Sequence, residues 1–176
     1  MSPSTRSCSP SRLDDVAFWQ IDAGPPPSSN VIGNSGFETG TDGWFGFGPV
    51  TAVSSADRAH GGTRSARISG RTDTWNGLAT SLVGRLTPGA SYSVSAWAQV
   101  GTGSSFVNLN FQNACDGGTT NFTFLAGATA NDSTWTQLQG TLVAPSCTLT
   151  TGNFYIEGAP AGVDIYLDDV EVQPLP

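Results

Sequence analysis

From residue 30 onward, the sequence is a series of short runs in which polar and apolar residues alternate, separated by Gly, Pro, Asn and Asp. No apolar pattern of helical period persists for three turns. Alternation with a period of two is typical of half-buried strands, and the separating residues are those that form turns. Many short strands at this spacing predict an all-β fold, an antiparallel β-sandwich of the jelly-roll type.

The same pattern divides the chain into two parts. The runs with the clearest alternation and β-propensity are residues 66–70, 91–100, 105–113, 120–127, 134–144, 152–158 and 163–172. Residues 1–29 are polar and end in AGPPPSS, a Pro-rich stretch typical of linkers between modules. We therefore predict a poorly ordered leader and linker over residues 1–29, and one β-sandwich domain over residues 30–176.

The phase of three strands predicts an unusual outer face. In FVNLNFQN, apolar residues alternate with amides, and the amides predicted to face outward are Asn108, Asn110 and Gln112. The same interpretation of NFTFL points Phe122 and Phe124 into the core.

The late strand NFYIEG extends this face. Its apolar residues are predicted to face inward, which leaves Tyr155 and Glu157 outward. A face that is polar but almost uncharged is suited to hydrogen-bonding a neutral ligand. Among the tryptophans, Trp75 lies in a Thr/Asn/Gly context that favours an exposed loop, whereas Trp44, Trp97 and Trp135 are predicted to be in the core.

Charge excludes two classes of partner. The net charge is −7, the pI is near 4.3, only 12% of residues are charged, and lysine is absent. Nucleic acids and anionic membranes are bound through basic patches, so neither is expected as a partner. No apolar run approaches the ~20 residues that span a bilayer.

The cysteines and the single histidine limit the covalent and metal chemistry. Three cysteines leave an odd one, and Cys115 with Cys147 is the simplest pair in an extracellular protein, with Cys8 free. Three unpaired thiols remain the alternative. Because His60 is the only histidine, no Cys/His spacing typical of zinc exists.

Several local motifs together resemble carbohydrate-binding modules of families 4, 9 and 22, most closely family 22. These motifs are NVIGNSGFETGTDGW, AHGGTRSARISGRTDTWNG, LTPGASYSVSAWAQV, WTQLQGTL and FYIEGAPAGVDIYLDDVEV, which together cover about residues 30–173. The resemblance implies a galactose-binding-domain-like β-sandwich that binds polysaccharide without catalysis. The implied ligands are β-1,4-xylan or mixed-linkage β-glucan, held in a concave groove, and the implied partner is a tethered glycoside hydrolase of a secreted enzyme.

The resemblance also implies a binding site. Trp75 matches the family's stacking tryptophan, and Tyr155 and Glu157 match the aromatic residue and carboxylate of its late strand. With the outward amides Asn108, Asn110 and Gln112, these residues form the predicted site. Phe47 stands where family 22 modules often carry a basic residue, and either Phe45 or Phe47 is predicted to form another wall of the site. A further tyrosine of the family is replaced near residues 113–115, so the choice between xylan and β-glucan stays open.

A structural calcium site is a further implication of the resemblance. The family pairs two acids that match Glu38 in GFETG and Asp168 in YLDDV. Backbone oxygen from the HGG loop, at Gly61, would add to the hard oxygen ligands that calcium prefers. We therefore expect Ca²⁺ at Glu38, Gly61 and Asp168.

Two other classes of function remain open at this point. A small jelly-roll glycosidase would need two carboxylates across the scissile bond, and the sequence offers only Glu157 with Asp73. A lyase would need a pair such as Tyr155 and Arg71. A protein-interaction sandwich would need no sugar ligand at all.

Overall fold

The structure, a computed structural model, describes residues 30–176 as ten strands without a helix. The predicted leader and linker at residues 1–29, with Cys8, lies outside the described residues. No helix in the described range has the length and hydropathy needed to cross a membrane. The strands are β1 (Trp44–Phe47), β2 (Thr51–Ser55), β3 (Ser65–Ser69), β4 (Gly77–Ser81), β5 (Ser91–Val100), β6 (Ser104–Cys115), β7 (Asn121–Asn131), β8 (Thr136–Val143), β9 (Leu149–Glu157) and β10 (Ile165–Pro174).

The ten strands form two five-stranded sheets that pack face to face. The first sheet has the order β1-β4-β9-β6-β7, and the second has the order β2-β3-β10-β5-β8. All the neighbouring strands are antiparallel. The predicted antiparallel sandwich is therefore confirmed.

The core lies between the sheets and is filled by the inward residues of each alternating run. In β6, Val107, Leu109 and Phe111 are fully buried, as their alternation with the amides predicts. In β9, Phe154 and Ile156 are buried in the same way. The alternation thus fixes which face of each central strand meets the core.

The sequence did not predict three of the strands, and each omission has a physical reason. The strands β1 and β2 have only four and five residues, and β2 is mostly Ser, Thr and Ala. The strand β4 reads GLATS and lies between β1 and β9, so most of it is buried although it has one large apolar side chain. Small residues on a buried strand leave no alternating signal.

Two of the three tryptophans predicted to be in the core are not there. Trp44 is buried and stacks at a tilt on Phe37, with ring centroids 5.0 Å apart. Trp97 and Trp135 are only half-buried and flank His60, whose ring stacks on Trp97 with centroids 3.8 Å apart. Trp97 has the outward phase of β5, because its neighbours Ala96 and Ala98 face the core.

A disulfide joins Cys115 at the end of β6 to Cys147 in the loop before β9, with the two Cα atoms 5.9 Å apart. The predicted pairing is confirmed.

Replacing both cysteines by alanine is expected to lower the free energy of unfolding by about 3 kcal/mol, because the bond closes a long loop in the unfolded chain. Denaturant unfolding of the double variant measures this effect. Replacing Cys8 by alanine is the control, and an equal loss in both variants would contradict the role of the bond.

Candidate functional site

The outer face of the first sheet carries the polar residues that the alternation predicted. In the pairing of β6 with β9, Asn108 lies opposite Glu157, and Asn110 lies opposite Tyr155. Opposed residues of an antiparallel pair project to the same face. The structure therefore brings four of the predicted site residues onto one surface. Gln112 lies one row further along and accepts a 2.8 Å hydrogen bond from the side-chain amide of its opposed residue, Asn153.

A β-bulge in β7 overturns the predicted direction of two phenylalanines. Opposite β6, Ala126 pairs with Leu109 but Phe124 pairs with Asn110, which leaves Leu125 as the extra residue. The extra residue reverses the phase of the strand on one side of the bulge. Phe122 and Phe124 therefore project to the outer face with Asn110, and they are 63% and 61% exposed.

These residues surround a cleft of about 600 Å³, hereafter the aromatic cleft. Its lining residues are Phe47, Trp75, Asn110, Phe122, Thr123, Phe124, Tyr155 and Glu157. Of the predicted site residues, Asn108 and Gln112 lie on the same face but outside this lining. The lining residues that the predicted site lacks are Phe122, Thr123 and Phe124. The two phenylalanines were missed because a bulge has no signal in a simple alternating pattern.

The aromatic residues on the β1 side of the cleft pack against one another. The ring of Phe47 stacks on Tyr155 with centroids 4.1 Å apart, and meets Trp75 edge-on at 6.4 Å. Trp75 remains 48% exposed, whereas Tyr155 is only 3% exposed. Trp75 thus presents a ring surface for a ligand, while Phe47 covers part of the Tyr155 ring that was predicted to stack on sugar.

The polar groups of the cleft are partly desolvated. Asn110 Nδ2 donates a 2.9 Å hydrogen bond to Glu157 Oε1. Burial raises the pKa of Glu157, although a hydrogen bond from Asn108 and the positive charge of Arg71 act in the opposite direction. Burial, with the nearby charge of Glu157, raises the pKa of Tyr155 to about 12, so its hydroxyl keeps its proton at neutral pH.

A buried arginine fixes the loop that carries Trp75. The guanidinium of Arg71 donates hydrogen bonds to six backbone carbonyls, in residues 73–76 and 159–163. The carboxamide oxygen of Asn76 accepts hydrogen bonds from the backbone N–H groups of Thr72 and Asp73. Gly48, with a φ of 83°, lets the Trp75 ring approach the backbone of the β1–β2 connection.

The pairs considered for catalysis do not assemble. Asp73 is exposed and accepts a 2.7 Å hydrogen bond from the backbone N–H of Thr74, and it does not line the aromatic cleft. Glu157 is the one acid in that lining. The donors of Arg71 are directed at backbone carbonyls, and not at Tyr155.

The residues expected to bind calcium lie around one loop, residues 60–64. Both carboxylate oxygens of Glu38 accept hydrogen bonds from Thr63, and one also accepts from the backbone of Arg64. The buried carboxylate of Asp168 accepts hydrogen bonds from the backbone N–H groups of His60 and Gly61, at 2.7 and 3.2 Å. Burial raises the pKa of Asp168, and these hydrogen bonds act against the rise.

The donor set around this loop has the hard oxygen chemistry that calcium prefers. Within residues 30–176, however, no group of three or more His, Cys, Asp or Glu side chains is arranged to hold a metal ion. A calcium site here would therefore need backbone carbonyl oxygens to complete it, which calcium readily accepts.

The outer face of the sandwich thus presents an open cleft lined by aromatic rings, one amide and one carboxylate, an arrangement suited to a neutral, hydroxylated ligand. Residues 29–162 match the family model described as Carbohydrate binding domain, CBM_4_9, and the chain belongs to this family. It is accordingly an ancillary binding domain and not a catalytic one.

Two curated relatives show the context in which similar domains occur. The chain is 29% identical over 162 residues to endo-1,4-beta-xylanase A of Thermoanaerobacterium saccharolyticum, which covers 91% of this chain. It is 30% identical over 153 residues to exoglucanase XynX of Acetivibrio thermocellus, which covers 84% of this chain. In both comparisons the chain spans only 14% of the relative's length.

Solved structures of carbohydrate-binding modules share the fold. The C-terminal family 22 module of Clostridium thermocellum Xyn10B aligns with a TM-score of 0.76 at 24% identity, covering 85% of this chain and 97% of that one. A xylan-binding domain of family 22 aligns with a TM-score of 0.75 at 25% identity, covering 84% and 97%. The predicted resemblance to the family 4/9/22 modules is confirmed.

Proposed function

We propose that this domain binds xylan, and mixed-linkage β-glucan as a second ligand, in the aromatic cleft. On this proposal it is secreted with a tethered glycoside hydrolase, which it brings to plant cell-wall polysaccharide. The observation that carries the proposal is the cleft itself, with the exposed ring of Trp75 on one side and Glu157 on its floor. Relatives and structural neighbours named as xylanases and xylan-binding domains support the choice of ligand.

The physical argument rests on the two surfaces of a pyranose ring. Its C–H face gains about 1–2 kcal/mol by stacking on an indole such as Trp75, since apolar area leaves water. Its hydroxyl rim needs partners that donate and accept, which the amide of Asn110 and the carboxylate of Glu157 supply. A few such contacts, less the cost of ordering the ligand, correspond to affinities from micromolar to millimolar.

Affinity electrophoresis on a panel of polysaccharides tests this function. The panel contains xylan, barley mixed-linkage β-glucan and a soluble cellulose derivative. Retardation by xylan is expected, with weaker retardation by β-glucan. If none of the three retards the domain, the proposal is wrong and a protein-interaction module becomes the better account.

Replacing Glu157 by glutamine is expected to weaken xylan binding by about fivefold to tenfold, because a charge-assisted hydrogen bond becomes a neutral one. The same change should raise the melting temperature modestly at pH 7, because the buried charge is removed while Asn110 keeps an oxygen acceptor. Calorimetric titration and thermal unfolding measure the two effects. Unchanged binding would remove Glu157 from the site.

The pH dependence of the two melting temperatures, of the parent and of Glu157→Gln, tests whether the charge of Glu157 causes the difference between them. Because the folded pKa of Glu157 is raised, folding favours its neutral form, and this contribution is complete below the unfolded pKa of about 4.3. This stabilising contribution is lost as the pH rises through the pKa that Glu157 has in the folded domain. The difference in melting temperature between Glu157→Gln and the parent should therefore appear above about pH 4 and be absent below it.

Calcium at Glu38, Gly61 and Asp168 is a separate part of the proposal. The bound ion would join the segment of Glu38 and the loop of Gly61 to β10, and would neutralise the buried carboxylate of Asp168. Chelation is expected to lower the melting temperature by several degrees, and added Ca²⁺ to restore it. The Glu38→Gln variant should show a smaller response. An identical melting temperature with and without chelator would contradict calcium binding.

A further inference from the structure

The β7 side of the aromatic cleft is lined by two phenylalanines and Thr123. Phe122 and Phe124, hereafter the phenylalanine wall, line the cleft, and Phe106 of β6 lies beside them outside the lining. All three project to the outer face and are at least half exposed. Gly127 has no side chain, and any Cβ there would meet the rings of Phe106 and Phe124, so both rings lie over its backbone. A cluster of exposed apolar rings beside a cleft is typical of an interaction surface.

The opposite side and the floor hold the hydrogen-bonding side chains of the outer face, because Thr123 pairs with the core residue Phe111 and so has the inward phase of β7. Asn110, Tyr155 and Glu157 supply amide, hydroxyl and carboxylate, whereas the phenylalanine wall supplies no donor and no acceptor. A sugar hydroxyl pressed against phenyl rings loses its water without gaining a partner, which is unfavourable. A hydroxyl capped by an ester has no donor to lose, and its methyl group gains by leaving water.

The charge of the cleft further limits which substituents a bound polysaccharide can carry. Glu157 is the one charged residue in the lining of the cleft, and the whole chain has a net charge of −7. The nearby guanidinium of Arg71 is buried and its hydrogen bonds are given to backbone carbonyls. An acidic substituent on the ligand would therefore meet repulsion without a compensating cation.

The geometry points to a ligand class narrower than xylan as a whole: chains whose hydroxyls are partly capped by neutral O-acetyl esters. Such chains are bound in preference to the same chain without esters, and to chains that carry uronic acid side groups. The inference rests on the proposed function, and it assigns the phenylalanine wall as the determinant of the preference.

Calorimetric titration with three xylo-oligosaccharides of matched length tests the inference. One carries O-acetyl esters, one is the same sample after mild alkaline deacetylation, and one carries uronic acid. The acetylated ligand is expected to bind about fourfold more tightly for each ester that is accommodated, the factor for burying one methyl group. Equal or tighter binding of the deacetylated ligand overturns the inference but leaves the proposed function. No binding of any of the three overturns both.

A pair of variants assigns the preference to the wall. Phe124→Tyr keeps the ring and adds a hydroxyl, so it should lower the ratio of affinities between the acetylated and deacetylated ligands. Phe45→Tyr is the matched control, because Phe45 is an exposed phenylalanine on the same sheet that does not line the cleft. Thermal unfolding checks that both variants fold. A ratio unchanged in Phe124→Tyr, or lowered equally in both, overturns the assignment to the wall.

Discussion

Replacing Trp75 by alanine is expected to abolish the retardation of this domain by xylan. Trp75 presents the most exposed ring surface on its side of the cleft, and it lies edge-on to Phe47, which in turn covers Tyr155. Its loss removes the stacking contact and one wall of the cleft. A loss of about 1–2 kcal/mol lowers the affinity roughly fivefold to thirtyfold, enough to bring a binder with near-millimolar affinity below detection.

The control for this variant is Phe45→Ala, which removes an exposed aromatic ring from the same sheet outside the cleft. Both variants should unfold near the temperature of the parent, because Trp75 is a half-exposed loop residue and makes few core contacts. Affinity electrophoresis on xylan separates them. If Trp75→Ala migrates as the parent does, the aromatic cleft is not the binding site.

Replacing Arg71 by methionine is expected to give the largest loss of stability, about 4 kcal/mol. The side chain is 3% exposed, and its guanidinium is bound to six backbone carbonyls of two neighbouring loops. Because the guanidinium is held away from water, burial lowers the pKa of Arg71. Methionine fills a similar volume but donates no hydrogen bonds, and only three of the six carbonyls, those of Asp73, Thr74 and Pro160, also accept a backbone N–H from a loop residue.

The expected fall in melting temperature is about 10 °C for a domain of this size. Xylan binding at low temperature should also weaken, because the loop that positions Trp75 loses its attachment to residues 159–163. Arg85→Met is the control, since Arg85 is exposed and its guanidinium donates a long hydrogen bond, 3.4 Å, to the carbonyl of Val31. Similar melting temperatures for the two variants would contradict the structural role of Arg71.

Much of the fold follows from local pattern. In β6 the alternation of large apolar residues with amides correctly separates the core face from the outer face, because strand residues point to opposite sides in turn. The same rule places Tyr155 and Glu157 beside Asn110 and Asn108, as β9 pairs with β6. The exposed loop position of Trp75 also follows from its polar surroundings.

The alternation rule fails where the pairing between two strands reverses which residues of a strand face the core. Leu125 is inserted opposite β6, and the bulge turns Phe122 and Phe124 outward although their alternation predicts burial. The bulge is a property of the pairing of β7 with β6, and not of the sequence of β7 alone. Trp97 shows a related limit, because a large aromatic residue on the outer phase of β5 finds a partner in His60 from a loop distant in sequence.

The sequence by itself determined the sandwich, the faces of the central strands and most of the polar side of the cleft, since periodicity and residue type are local properties. Only the tertiary structure decided that Phe47 covers Tyr155, that Arg71 holds the Trp75 loop, and that a phenylalanine wall closes the cleft. These features depend on contacts between segments far apart in the chain. No local pattern specifies which distant segment will supply the partner for a given side chain.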